Sequence, residues 1–265
     1  MSTCSVAPLS RRALSLLLHN KWVAVLGDSV ARLFCAALLR LGGEHSVEQP
    51  VLDRHRSFEY RLAARGSHLS FVWAPYAENI TAALASWRQD GHVPDVIVMG
   101  SSLWHMLHVR NVTHYAASLA GIRVTLDALL ASERRMPIAP FWMTTTALVG
   151  HKLNTPEKQA HLTPGHVDAY DAAAAALLAP AAGGPCIVLD VHQVTAGTPH
   201  SYVFRAQILG TDSLYSVTCQ HVASHAQMTA CTFTTPPSIC LSSNGQMSCV
   251  STAAQRCARC RGALQ

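Results

Sequence analysis

The sequence predicts an α/β fold, a three-layer sandwich on a mostly parallel sheet whose C-terminal part is missing or replaced. Two observations carry that expectation. Short apolar runs rich in β-branched residues alternate with longer segments whose apolar residues recur at helical spacing, which places helices on both faces of a parallel sheet. The composition then changes near Tyr215. Every Asp and Glu lies at or before Asp212, whereas residues 216–265 hold six of the nine cysteines and, among charged residues, only Arg256, Arg259 and Arg261.

The elements follow in order. Trp22-Val23-Ala24-Val25-Leu26 is a buried strand closed by Gly27. Val30, Leu33, Phe34, Ala37, Leu38 and Leu41 fall on one helical face, ended by Gly42-Gly43. Residues 55–62 alternate loosely as a strand, and 68–73 form a clearer one that Pro75 ends. A helix is expected over 80–87, a strongly apolar strand over 95–100, and a long amphipathic helix over 115–134. Another strand covers 138–144. Thr163-Pro164 supplies a capping hydroxyl and a first-turn proline for a helix running through Leu178. The last clear strand is 186–191.

Composition narrows the function classes. Hydrophobic residues make up 49% of the 265 and charged residues 13%, so the chain can bury a core. A net charge of +5 without a Lys/Arg run or an aromatic-interleaved basic stripe argues against nucleic-acid binding. No run of 18 apolar residues exists to span a bilayer. The apolar stretch 13–18 is too short, and too soon followed by His19, Asn20 and Lys21, for a signal peptide. Asn79-Ile80-Thr81 and Asn111-Val112-Thr113 match the glycosylation acceptor pattern and permit a secretory lumen.

In a parallel sheet, sites form at the carboxyl ends of the strands, where Ser29, Gly100 and Asp190 are expected. A serine hydroxyl needs a base to become a nucleophile and a charge-stabilising site for the oxyanion it creates. A helix amino end provides part of the second through its free N–H groups. Ser29 in Gly27-Asp28-Ser29 sits at such a junction.

The block from Val25 through Phe34 resembles the nucleophile block of SGNH/GDSL esterases, in particular the PC-esterase branch with the luminal domain of animal sialate O-acetyltransferases and their fungal capsule-acetylation relatives. The strand 95–100 with Trp104 four residues on, the strand end 71–75, and the segment 163–173 are similar to later blocks of that family in order and spacing. The resemblance covers about residues 20–215, leaving an N-terminal extension, 1–19, and a Cys/Ser/Thr-rich tail, 216–265, expected to be disordered or out of the family's frame.

The resemblance implies a carbohydrate O-acetyltransferase that works through an acetyl-Ser29 intermediate, or an acetylesterase if water replaces the sugar. It implies acetyl-CoA as the ultimate acetyl donor with no bound cofactor, a membrane-embedded donor partner or membrane region, and a Golgi or secretory setting. Oxyanion and substrate roles carry over to the Ser29 backbone, Gly66, Gly100, Ser102 and Trp104, with Ser102 standing where many family members outside the PC-esterase branch have an Asn side chain.

The family's general base comes from a late Asp-x-x-His. Here Asp212-Ser213-Leu214-Tyr215 has tyrosine in the histidine's place, and a departure from the family frame is expected at or just after Tyr215. The substitute pairs are Asp190 with His192 and Asp212 with His221; without either, the domain would be a non-catalytic glycan-binding module. Cys257-Ala258-Arg259-Cys260 has knuckle spacing but no second pair, so no metal site is expected.

Overall fold

The computed structural model describes residues 16, 18–42, 55–62, 66–132 and 137–196. All of them fall in the first of the chain's two units, residues 1–226. Asp212, Tyr215, His221 and the cysteine-rich tail lie outside the described residues.

Six strands form one sheet: β1 (Trp22–Gly27), β2 (Phe58–Leu62), β3 (Ser67–Trp73), β4 (Val96–Gly100), β5 (Ala139–Met143) and β6 (Ile187–Leu189), in the order β2-β3-β1-β4-β5-β6. All pairings are parallel except β2 with β3, which run antiparallel. The mostly parallel α/β architecture expected from the sequence is therefore present.

β1 is central and pairs with β3 on one side and β4 on the other. Successive strand side chains point to opposite faces, so a strand covered on both faces must be apolar throughout. β1 shows this directly. Val23 and Val25 pack into one core with Phe34, Leu38, Phe71 and Phe141. Ala24 and Leu26 enter the other with Ile80, Ile97, Tyr115 and Leu126. Truncating a fully buried Leu26 to alanine would cost about 2–5 kcal/mol.

Helix α1 (Ser29–Leu41) covers the first face. The helices α2 (Ala77–Gln89), α3 (Val112–Leu130) and α5 (Pro164–Leu178) cover the second, and the short α4 (Pro156–His161) and α6 (Val191–Ala196) complete the set. Thr163 caps α5 as its sequence implies, its hydroxyl accepting from the His166 N–H. Asn111 caps α3 through the His114 N–H, and the Asn79 carboxamide accepts from the Tyr76 N–H at the start of α2. Both glycosylation-pattern asparagines thus serve helix starts. No helix among the described residues is long and apolar enough to cross a membrane.

Candidate active site

The carboxyl ends of the strands bring Ser29, Gly100, Ser102, Thr144, Thr145, Asp190 and His192 to one edge of the sheet. Gly27 and Gly100 end paired strands in register. From Gly27 the chain turns through Asp28, and Ser29 opens α1 as an exposed side chain above the buried strand. Asp28 itself is buried, and its carboxylate accepts from the Val30 N–H at 2.8 Å. Burial pushes its pKa up to about 6, the N–H groups of Val30 and Ala31 holding it down in part. The Asp28 cap therefore fixes the turn that presents Ser29.

Two spaces adjoin this turn. The smaller, about 20 Å³, is lined by Asp28, Gly100, Ser101, Ser102 and the Thr144–Thr146 run. That is room for one water molecule or one substrate oxygen. The larger is a cleft of about 300 Å³ with Ser29 in its lining, walled by Leu33, Leu103, Leu148, Leu153 and Leu162 and completed by Lys152 and Lys158. Val30, Leu103 and Thr146 line both, so the niche and the cleft are neighbours.

A chain of hydrogen bonds underlies the niche. The Thr145 hydroxyl donates to Asp171 Oδ1 at 2.8 Å, and the Thr145 N–H donates to the same carboxylate. With that proton committed, the 2.5 Å contact between the Ser102 and Thr145 hydroxyls leaves Ser102 as donor. Ser102 has one proton and spends it on Thr145, which removes it as a side-chain donor to an oxyanion. Burial raises the Asp171 pKa, and the two Thr145 hydrogen bonds and the nearby His192 pull it back down. Sequence reasoning passed over Asp171 and Thr145; their only signal was a run of three threonines at a strand exit.

Asp190 and His192 sit past the end of β6. Asp190 is exposed, and its Oδ1 accepts from the Gln193 N–H, so the carboxylate caps α6. The His192 N–H donates to Thr144 Oγ1, and its Nδ1 is buried without a hydrogen bond among the described residues. β6 lies three strand spacings from β1, about 14 Å. No hydrogen bond joins His192 to Ser29 among the described residues.

Gly66 requires a correction. It precedes β3 at φ +65°, and a Cβ there would sit 2.5 Å from Asn20 Oδ1. Trp22 pairs with His68 in register, so Gly66 belongs to the amino edge of the parallel strands. That edge is roughly 20 Å from Ser29 along β1, too far for an oxyanion donor.

Trp104 lies beyond Ser102, just before a π-helical turn, His105–Val109. It meets Trp73, Tyr76 and His55 edge-on at centroid distances of 5.5, 5.8 and 5.6 Å, and His108 at 4.9 Å. Trp73 is the β3 partner of Gly27. An aromatic wall of half-buried and exposed rings therefore stands on the β3 side of the nucleophile turn. His105, fully buried behind it, accepts from the Ala77 N–H at 3.0 Å through Nε2, and burial lowers its pKa to about 4 despite nearby Glu78.

A mostly parallel six-stranded sheet, helices on both faces and a Gly-Asp-Ser turn between β1 and α1 define an α/β domain with the architecture that the SGNH/GDSL resemblance implies. Within that class the chain is similar to PC-esterase domain proteins. It is 30% identical over 210 residues to Protein ALTERED XYLOGLUCAN 9 of Arabidopsis thaliana, covering 73% of this chain and 57% of that protein. It is 30% identical over 143 residues to PC-esterase domain-containing protein 1B of Mus musculus, covering 43% of this chain and 33% of that protein. With PC-esterase domain-containing protein 1A of Homo sapiens the identity is 28% over 148 residues, covering 43% of this chain and 32% of that protein. The chain thus spans just over half the length of the first and about a third of the others. No protein-family model matches.

Two solved structures overlap loosely. An α/β hydrolase enzyme from the Lake Arreo metagenome gives a TM-score of 0.39 at 13% identity, covering 82% of this chain and 98% of that one. An acetylxylan esterase from Geobacillus stearothermophilus gives 0.34 at 9%, covering 86% and 97%.

Proposed function

We propose that this domain performs serine-dependent acyl-ester chemistry on carbohydrate, with Ser29 as the nucleophile. One observation carries the reading: Ser29 is exposed at the amino end of α1, beside a niche sized for one oxygen and in the lining of a substrate-sized cleft. Attack by Ser29 Oγ on an ester carbonyl would form an acyl-Ser29 and release the alcohol, which leaves with the serine's proton through a general base. The Ser29 N–H, at the start of the helix, and the backbone beyond Gly100 are the proposed oxyanion donors, Gly100, Ser101 and Ser102 lining the niche. Water as second acceptor makes the domain an acetylesterase, and a sugar hydroxyl makes it an O-acetyltransferase supplied ultimately from acetyl-CoA. The similarity to PC-esterase domain proteins and to a protein named for altered xyloglucan supports an acetylated glycan as substrate.

The base is the open part of the site. Asp190 is engaged in capping α6, and His192 is three strands from Ser29. Both substitute pairs, Asp190 with His192 and Asp212 with His221, stand as proposals for the base, and Asp212 and His221 lie outside the described residues. Turnover of an activated acetyl ester and deacetylation of acetylated glycan, compared between the wild-type chain and Ser29→Ala, test the proposal. Loss in the variant by a factor of about 10³ or more supports it.

A second reading has a specific observation behind it. No histidine among the described residues hydrogen-bonds Ser29, as befits a glycan-binding module that has kept the fold without its base. Equal residual turnover in wild type and Ser29→Ala, with retained glycan binding, would select that reading.

A further inference from the structure

We infer that the aromatic wall beside the nucleophile turn is a subsite for a neutral pyranose ring, holding a sugar next along the glycan from the one whose ester meets Ser29. The inference deepens the glycan reading above and rests on it for the class of ligand.

The strand order sets the wall's place. Gly27 pairs with Trp73 on one side and Gly100 on the other, so the β3 and β4 exits flank the end of β1. Trp104 follows Gly100 by four residues, and its ring meets the Trp73 ring at a centroid distance of 5.5 Å. The two tryptophans thus meet beside the strand end that leads into Ser29. One strand spacing and two residues of chain put the Trp73 and Ser29 backbones within about 12 Å, the reach of neighbouring sugars in a glycan. Among the described residues the cleft that contains Ser29 takes its lining from α1, the β4 exit and residues 146–162, with none from β3. The wall is therefore a separate surface on the other side of the same serine.

Its chemistry suits a sugar. Trp104 and Tyr76 join neither hydrophobic core, and Trp73 packs only against the margin of one. These three residues are half-buried, and His55 and His108 beside them are exposed. Large rings thus keep apolar surface at the rim of the site. A pyranose presents C–H groups on its faces and hydroxyls around its edge. Indole, phenol and imidazole match that pattern, with apolar bodies for the C–H face and polar tips for the hydroxyls. His55 brings its ring to Trp104 from a left-handed backbone at φ +60°, a conformation of the kind that clusters at ligand clamps. No carboxylate, ammonium or guanidinium belongs to these five side chains, so the wall offers an acidic sugar no fixed counter-charge. Lys152 and Lys158 line the cleft instead.

Isothermal titration of the full-length Ser29→Ala chain with cellohexaose, xylohexaose and hexagalacturonate tests the wall apart from catalysis. The inference predicts saturable binding of a neutral hexasaccharide, tighter than hexagalacturonate and accompanied by a change in tryptophan fluorescence. Trp104→Ala should weaken that binding about tenfold, and Trp104→Phe, which keeps a ring, should restore most of it. Should Trp104→Ala not fold, His108→Ala, at an exposed position, should weaken binding about threefold. Binding of neither neutral chain, tighter binding of hexagalacturonate, or unchanged affinity in the folded variants overturns the subsite. Acetyl labelling of Ser29 in the wild-type chain judges the serine chemistry separately, so either reading fails without the other.

Discussion

Gly27 and Gly100 end adjacent parallel strands in register, so close together that a methyl group built on Gly27 would overlap the Gly100 carbonyl oxygen. The same methyl would stand 2.7 Å from the Ala31 Cβ, and Gly27 has φ +153°, a backbone that side chains rarely adopt. Gly27→Ala should therefore cost about 3 kcal/mol or more and displace Ser29. Gly165→Ala, at an open position in the first turn of α5, is the control and should be neutral or stabilising by up to about 1 kcal/mol. Urea midpoints for the two variants check the contrast.

The Ser102–Thr145–Asp171 chain makes a second prediction. Thr145→Val keeps the shape but removes both the hydroxyl that donates to Asp171 and the acceptor for Ser102. Leaving two buried or half-buried polar groups short of partners should cost about 2–3 kcal/mol. A double-mutant cycle with Asp171→Asn should show coupling above about 0.5 kcal/mol. Strict additivity would mean that the chain has no joint role.

Asp28 and His105 give opposite pH slopes over the same range. Asp28 has its pKa raised by burial from 3.8 to about 6, so its relative stabilisation is full below about pH 3.8 and lost as pH rises through 6. His105 has its pKa lowered by burial from 6.5 to about 4, so its contribution is full above about pH 6.5 and lost as pH falls toward 4. Asp28→Asn retains a good cap and should raise stability at pH 8 by on the order of 2 kcal/mol, with little change at pH 3.5. His105→Gln should flatten the acid side of the stability curve. Denaturation curves from pH 3.5 to 8 read both effects, and parallel curves for wild type and Asp28→Asn would refute the first.

Cys35 and Cys186 are buried free thiols. Burial drives the Cys35 thiol far up and pushes Cys186 up to about 12. Alkylation of the folded chain should leave these two cysteines unmodified, and unfolding should expose them. Peptide mapping before and after denaturant distinguishes the outcomes.

Much of the architecture was legible because parallel strands buried on both faces must be apolar. The runs in β1, β4 and β5 could be read directly, and Ser29 followed from the strand-to-helix change around it. What was not legible depended on distance in space. Asp171 meets Thr145 across 26 residues, and nothing local announces that pair. Gly66 looks like any turn glycine, and only the register of β1 with β3 shows which edge of the sheet it occupies. Asp190 was read as a strand residue and a base partner, whereas Asp190 followed by Gln193 is also a helix-start pattern, and the structure uses it so. The sequence expectations that Asp212 pairs with His221 and that 216–265 form a separate tail fall outside the described residues.

The central claim is that Ser29 accepts the acyl group. Brief reaction with an activated acetyl ester, acid quenching and peptide mapping by mass spectrometry tests it most directly. The account predicts one acetyl group, on the peptide that contains Ser29, and none after Ser29→Ala. An unmodified Ser29 peptide, or a label that persists in Ser29→Ala, would contradict it.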